Sequence, residues 1–371
     1  MNNTDSTHGA DSTTEALVEV VLPGKVEPEG LEVRHGSVPV AGPGQVVVRM
    51  EATGVSFAEQ QMRRGKYYDQ PPFPFVPGYD LVGTVQSTGA GVEPGLVGTR
   101  VAALVKVGGW ASHVLVDAAD VVPVPEGIGA AEAETVVVNG ITAWQMLHRK
   151  ARVRAGQTIL VHGANGGVGT VLVQLAHAAG VHVIGTASPR HHDALREQGV
   201  EPIDYRTPDL AARVRELSPR GVDAVFDHVG GPSVVRSWHL LAPGGTLVSY
   251  GSASTRDDEG SKQLPVLKIL GRVWTWNALP NGRHAYFFNV WAGRALSKNK
   301  FRAQLSADLT QVFAALERGE VNARIAAQLP LARVSDAVRL AESGTVAGKV
   351  VLVPCRAVPS PLPHLVRKAP P

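Results

Sequence analysis

Apolar residues follow two rhythms along this chain. From residue 15 to about 135 they fall in short β-favouring runs, ALVEVVL, GQVVVRMEA, LVGTVQSTG, TRVAALV and WASHVLVD, punctuated by Gly and Pro at turn-like intervals. That pattern predicts a β-rich domain. From about 139 to 298 apolar strands alternate with stretches of 3.6-residue period, the pattern of βαβ units on a parallel sheet. The strand candidates there are TILVHGA, HVIGTAS, DAVFDHV, GTLVSYG and RVWTWNA. A last stretch, from AQLSADLTQVFAALERGEV to GKVVLVP, predicts one or two helices, including a one-sided core helix over 307–317, and a closing strand.

The ends and the composition narrow the picture. Residues 1–14, MNNTDSTHGADSTT, lack the basic start and apolar run of a secretory signal and read as a disordered leader; the proline-rich 355–371 reads as an extended tail. Apolar runs such as VVVNGITAW fall short of the roughly 20 residues that a membrane span needs. The net charge of +3 comes without a clustered Lys/Arg stripe, so neither a membrane nor a nucleic acid is an expected partner. Cys355 is the single cysteine, which excludes an internal disulfide, a Cys-rich zinc site and a CxxC pair, and fits a cytoplasmic setting.

The strongest local signal is TILVHGANGGVGTVLVQLAHAAGVHVIGTAS. A β-branched strand runs into Gly163, Gly166, Gly167 and Gly169, and the next helix carries Val168, Val171, Leu172, Leu175, Ala176 and Ala179 on one face before a second strand begins. Glycines let the backbone approach a pyrophosphate, whose charge then rests on the free amides and positive dipole of the helix start. Strand, helix and second strand supply the context that a glycine motif alone lacks. Sites for NAD place an acid near the end of the second strand, yet no acid stands between Asn165 and Asp193. The strand ends instead in GTASPRHH, with Ser188, Arg190, His191 and His192, and IDYRT follows with Tyr205 and Arg206. Hydroxyls with a guanidinium suit a 2′-phosphate that a carboxylate would repel, so the expected cofactor is NADPH.

With those residues the chain resembles the medium-chain dehydrogenase/reductase superfamily, and within it the zinc-free quinone oxidoreductase branch. Further landmarks in order are EATGVSFAEQQMRRGKY, FVPGYDLVGTV, GGWASHVLV, VVVNGITAWQML, VFDHVGG, LVSYGS and GKVVLVP. The resemblance implies an α/β fold: a GroES-like β domain over 15–138 and 299–354, and a Rossmann domain with a doubly wound parallel sheet over 139–298, with the active site in the cleft between them. Zinc-dependent relatives hold their metal with a Cys and a His where this chain has Ser56 and Tyr79, so no metal is expected. Without that Lewis acid, hydride transfer from NADPH to an α,β-unsaturated carbonyl or a quinone becomes the expected reaction, on a small-molecule substrate. An enoyl or ketone reductase acting on a polyketide-like intermediate, and an NADPH-binding partner protein without catalysis, stand as alternatives.

The resemblance also assigns residues. Thr142 would lie near the nicotinamide; Gly166, Gly167, Val168 and Gly169 would take the pyrophosphate; Ser188 and Tyr205 would contact the adenosine phosphate. His191, beside Arg190, stands where many relatives have a lysine. Val229, Tyr250, Gly251 and Ser252 would edge the nicotinamide pocket, and Lys349 would sit in a C-terminal loop facing the cleft. Asn139 would reach the pocket or order its own loop. Tyr67 is the candidate donor to an enolate oxygen, with Ser56 as a hydroxyl able to bond a carbonyl. A second tyrosine of the branch falls at Gln61, so a two-tyrosine site is not expected, and Tyr79 reads as a pocket wall or a core aromatic. The aromatic-rich 274–291 would furnish a planar pocket, a subunit interface or core, and a homodimer is implied through the last Rossmann strand.

Overall fold

A computed structural model describes residues 16–255 and 263–354. The leader, the tail and Cys355 lie outside the described residues. In chain order the elements are β1 (Ala16–Val21), β2 (Glu32–Ser37), β3 (Gln45–Val55), α1 (Phe57–Arg63), β4 (Asp80–Thr88), β5 (Arg100–Leu104), β6 (His113–Asp117), β7 (Val121–Pro123) and α2 (Ala130–Trp144). There follow β8 (Thr158–His162), α3 (Gly167–Ala178), β9 (His182–Ala187), α4 (His192–Arg196), β10 (Glu201–Asp204), α5 (Leu210–Leu217), β11 (Val222–Asp227), α6 (Pro232–His239) and β12 (Leu241–Ser249). The chain ends with α7 (Leu264–Ala278), β13 (His284–Phe287), α8 (Lys298–Glu317), β14 (Ile325–Pro330), α9 (Val334–Glu342) and β15 (Lys349–Val353).

Two large sheets result. The first runs β14-β15-β3-β4-β5-β7, with β6 also on β3. The end of the chain completes it, because β15 pairs antiparallel with β3. The second is wholly parallel in the order β10-β9-β8-β11-β12-β13, a doubly wound sheet whose order reverses between β8 and β11. Ligand crevices form at such a reversal, outside the carboxyl ends of the strands.

Three expectations change. RVWTWNA is the end of α7, because Val266, Ile269, Val273 and Trp276 repeat at helical spacing and are turned away from solvent. The last strand of the sheet is the four-residue HAYF of β13, too short to stand out by composition. The expected boundary at 138/139 falls inside α2, which is buried along most of its length and packs on β3, β4 and β15 as well as on α3 and α8. This helix is a shared wall rather than the first element of one domain.

Candidate functional site

A cleft of about 460 Å³ lies between the two sheets, at the reversal point. Its Rossmann wall begins with the turn after β8. Gly163 adopts φ +66°, and a Cβ on Gly169 would overlap the Gly163 carbonyl oxygen, so both positions demand glycine. The close turn delivers the start of α3 to the cleft, which Gly166, Gly167, Val168 and Gly169 line. Gly166 is the N-cap and carries no side chain to satisfy the first amides, so the Gly167, Val168 and Gly169 N–H groups are left for a ligand. That is a cradle fitted to a pyrophosphate.

At the far end of the same face, parallel pairing sets Asp204 opposite Ala187, which places the next residues, Ser188 and Tyr205, side by side. Arg190 Nε donates to Ser188 Oγ at 3.4 Å, and the Arg206 guanidinium lies 5.1 Å from the centre of the Tyr205 ring. Ser188, Arg190, His191 and Tyr205 do not line the cleft itself but form an exposed to half-exposed patch at these strand ends. Burial, then Arg190 and His192, hold the His191 imidazole below its ordinary range, so at neutral pH it brings no fixed charge beside Arg190.

Thr142 and Asn139 line the cleft from α2, and Tyr250, Gly251 and Ser252 from the turn after β12. Asn139 is helical rather than in a loop, and its amide donates to the Thr135 carbonyl at 3.1 Å. Val229 is not among the lining residues: its N–H is bound to Asp227 Oδ1 at 2.8 Å, and its carbonyl accepts from Ser254. Its neighbour His228, which sequence reasoning left unassigned, lines the cleft instead. His228 Nδ1 is 3.1 Å from the His162 carbonyl and is therefore the protonated nitrogen; burial holds the ring below its ordinary pKa and so neutral.

On the GroES-like wall, Ser56 is the N-cap of α1. Its N–H and hydroxyl both donate to the Glu59 carboxylate, and its oxygen accepts from the Ala58 N–H at 3.1 Å. The hydroxyl proton is thus taken, and Ser56 is a helix cap at the cleft rather than a free donor for a carbonyl. Tyr67 lines the cleft as expected, and its hydroxyl lies 2.9 Å from that of Tyr79. Tyr79 is 4% exposed and sits in the core, yet it also borders the cleft. A pair of phenols therefore exists here, with Tyr79 rather than residue 61 as the second member. Residue 61 is Gln61, lining the cleft with its Nε2 buried and without a hydrogen-bond partner among the described residues. Burial raises both phenol pKa values far above the ordinary one, so both stay protonated.

Lys349 borders the cleft but opens β15 rather than lying in a loop. Its ammonium is 2.8 Å from Asp80 Oδ2 and 2.6 Å from Glu134 Oε1, so its charge is used inside the protein. The aromatic stretch divides: Phe287 and Phe288 line the cleft, Trp276 stacks on Trp238 at 4.6 Å in the core, and Trp274 is 75% exposed. Among the described residues no three His, Cys, Asp or Glu side chains converge as a metal site.

Comparison with known proteins agrees with this geometry. Residues 42–126 match the family described as alcohol dehydrogenase GroES-like domain, and 199–352 the family described as zinc-binding dehydrogenase. The synaptic vesicle membrane protein VAT-1 homolog of Rattus norvegicus is 36% identical over 338 residues, 87% of this chain and 80% of that protein. A Pseudomonas syringae quinone oxidoreductase is 27% identical with a TM-score of 0.78, covering 91% of this chain and 100% of its own. A mycobacterial structure complexed with NADPH is 26% identical with a TM-score of 0.77, at the same coverage. Fold, cleft and relatives converge: the chain belongs to the medium-chain dehydrogenase/reductase family.

Proposed function

We propose that this protein is an NADPH-dependent reductase of α,β-unsaturated carbonyls or quinones. The observation that carries the reading is that an uncapped helix start and a protonated phenol open onto one cleft. The α3 amides hold the pyrophosphate, Thr142, Tyr250 and Gly251 border the nicotinamide end, and Ser188, Arg190 and Tyr205 take the 2′-phosphate, with His191 beside them. Bound there, the reduced dinucleotide supplies hydride. The apolar walls, Phe287, Phe288 and Val290 among them, exclude water and stack a flat acceptor. Tyr67 donates a hydrogen bond to the acceptor's oxygen as negative charge develops on it and keeps its own proton, and the enolate or hydroquinone anion then takes its proton from solvent water. The mycobacterial NADPH complex and the Pseudomonas quinone oxidoreductase support the cofactor and the reaction type.

Enoyl thioesters are a second substrate class. The chain is 32% identical over 341 residues to phthioceranic/hydroxyphthioceranic acid synthase of Mycobacterium tuberculosis, although it spans 15% of that protein's length. Calorimetry with NADPH and NADH, followed by NADPH oxidation against quinones, 2-alkenals and enoyl thioesters, tests both readings. We expect tighter NADPH binding, and turnover that falls about 100-fold in Tyr67→Phe, the loss associated with one donor to a developing oxyanion. Tight NADPH binding with no turnover on any of the three classes would leave a binding protein rather than an enzyme.

A homodimer and a cytoplasmic setting complete the proposal. β13 is an edge strand of the parallel sheet. Beside it α7 exposes Leu267, Leu270 and Trp274 along one stripe, an apolar surface of the kind that marks an interface. No helix among the described residues is long and apolar enough to cross a membrane. Sedimentation equilibrium of the wild type and of Trp274→Glu checks the dimer.

A further inference from the structure

Three polar side chains meet end to end in a row that runs inward from the cleft. Trp291, between β13 and α8, donates its indole N–H to the Tyr79 hydroxyl at 2.6 Å, and the Tyr79 hydroxyl lies 2.9 Å from that of Tyr67. An indole nitrogen only donates, so Tyr79 accepts in the first of these bonds. The second has two possible directions, and burial selects between them. Were Tyr67 the donor, the Tyr79 oxygen would accept twice, and its own hydrogen would find no acceptor among the described residues, where the hydroxyl's partners are Tyr67 and Trp291. At 4% exposure, water does not replace that acceptor, and an orphaned buried donor is expensive. With Tyr79 as donor, each hydrogen in the row has an acceptor until the last, that of Tyr67.

Resting on the carbonyl reduction proposed above, we propose that Tyr79 and Trp291 are positioning residues, which orient the Tyr67 hydroxyl proton into the cleft toward the oxygen of the substrate carbonyl. Tyr67 lines the cleft, so its remaining hydrogen has the acceptor's oxygen within its arc. Each bond in the row also polarises the next, which makes Tyr67 a stronger donor than an isolated phenol. The indole is itself held, stacked on Phe301 at 5.8 Å and covered by the Arg294 guanidinium at 5.2 Å. The row joins the two walls: Tyr67 and Tyr79 precede α2, whereas Trp291 follows the last strand of the parallel sheet. Trp291 belongs to the aromatic-rich stretch, where an apolar role hid its polar one.

The test needs two arms on the full chain with NADPH bound. In the first, tyrosines carry carbon-13 at Cζ, whose resonance reports whether a phenol donates or accepts, and no substrate is present. Trp291→Phe is expected to move the Tyr79 resonance and, through it, that of Tyr67; an unmoved Tyr67 resonance overturns the relay. The second arm is kinetic. Trp291→Phe and Tyr79→Phe each lower kcat about five- to tenfold, the weight of one net hydrogen bond, with KM and NADPH affinity nearly unchanged. In a Tyr67→Phe background neither substitution lowers kcat further. Full additivity there would mean that Tyr79 and Trp291 act through packing, and would overturn the assignment. If the resonances move together but the wild type reduces no enone, quinone or enoyl thioester, the relay stands and the proposed reaction fails.

Discussion

Behind the Rossmann wall of the cleft sits one buried carboxylate; behind the GroES-like wall sit three. Asp227 accepts from the Val229 and Gly230 N–H groups at 2.8 and 3.0 Å and from the Ser237 hydroxyl at 2.7 Å. Ser237 in turn lies 3.1 Å from His162 Nε2, and His162 Nδ1 lies 3.2 Å from the Thr186 hydroxyl. Since the Ser237 proton goes to Asp227, His162 Nε2 is the donor, and one tautomer satisfies the whole row. Across the cleft, Asp80 and Glu134 flank the ammonium of Lys349, while Glu59, also buried, accepts from Ser56 and from the Tyr79 N–H. Asp80 Oδ1 and Glu134 Oε2 have no hydrogen-bond partner among the described residues. Burial accordingly raises the pKa of Glu59 and of Glu134. Asp227 holds its charge with local dipoles and is complete; Asp80 and Glu134 hold theirs against charge, with one cation for two carboxyls.

The largest expected effect tests that shortage. Lys349→Met removes the cation from between Asp80 and Glu134 and should lower stability by about 3–5 kcal/mol in denaturant titrations, as breaking a buried pair does. A loss below 1 kcal/mol would mean that the carboxyls are already neutral and the contrast between the walls is smaller than drawn. Next comes a steric test of the Rossmann wall. Gly169→Ala forces a methyl against the Gly163 carbonyl and should cost about 1–3 kcal/mol, with a matching loss of NADPH affinity by calorimetry. Asp227→Asn keeps an acceptor for the Val229 and Gly230 N–H groups but faces Ser237 with a donor, so that hydroxyl must turn its proton to His162 Nε2; the change should cost only about 1 kcal/mol in the same titration.

The smallest effect is a pH dependence of opposite sign on the two walls. Burial holds His162 and His228 below the ordinary 6.5. Their contribution to stability is present above that value and is lost as pH falls through their folded values. Glu59 and Glu134 are raised above the ordinary 4.5. Their contribution is present below 4.5 and is lost as pH rises through their folded values. Melting temperatures between these limits should fall with acid more steeply in Glu134→Gln than in the wild type, and less steeply in His162→Asn. Parallel slopes in all three proteins would erase the distinction.

Much of the Rossmann wall was legible because its parts are neighbours in the chain. The turn of Gly163 to Gly169 and the face of α3 are written in one run of residues. Val229, placed at the pocket by resemblance alone, misses it by one position, because matching a motif does not say which residue of a strand-end loop turns inward; His228 does, pinned by the His162 carbonyl. RVWTWNA looked like a strand because β-branched and aromatic residues suit both states, and the helical spacing becomes visible only from Leu264 onward. On the GroES-like side, Ser56 read as a free hydroxyl until Glu59, three residues on, was found to take its proton. The capping-box spacing was the available signal.

What the sequence by itself determined is whatever depends on local spacing: the alternation of strands and helices, the glycine turn, the absence of an acid at the end of β9, and the helical face of α3. Hydrogen-bond geometry and side-chain period act over a few residues, so a short window contains them. The tertiary structure alone decided the clusters assembled from afar. Residues 80 and 134 meet around the ammonium of residue 349, and 67, 79 and 291 join in one hydrogen-bonded row. Such meetings depend on strand order and on which side chain a pleat turns inward, and exclusion of water then sets their charge and the direction of their protons.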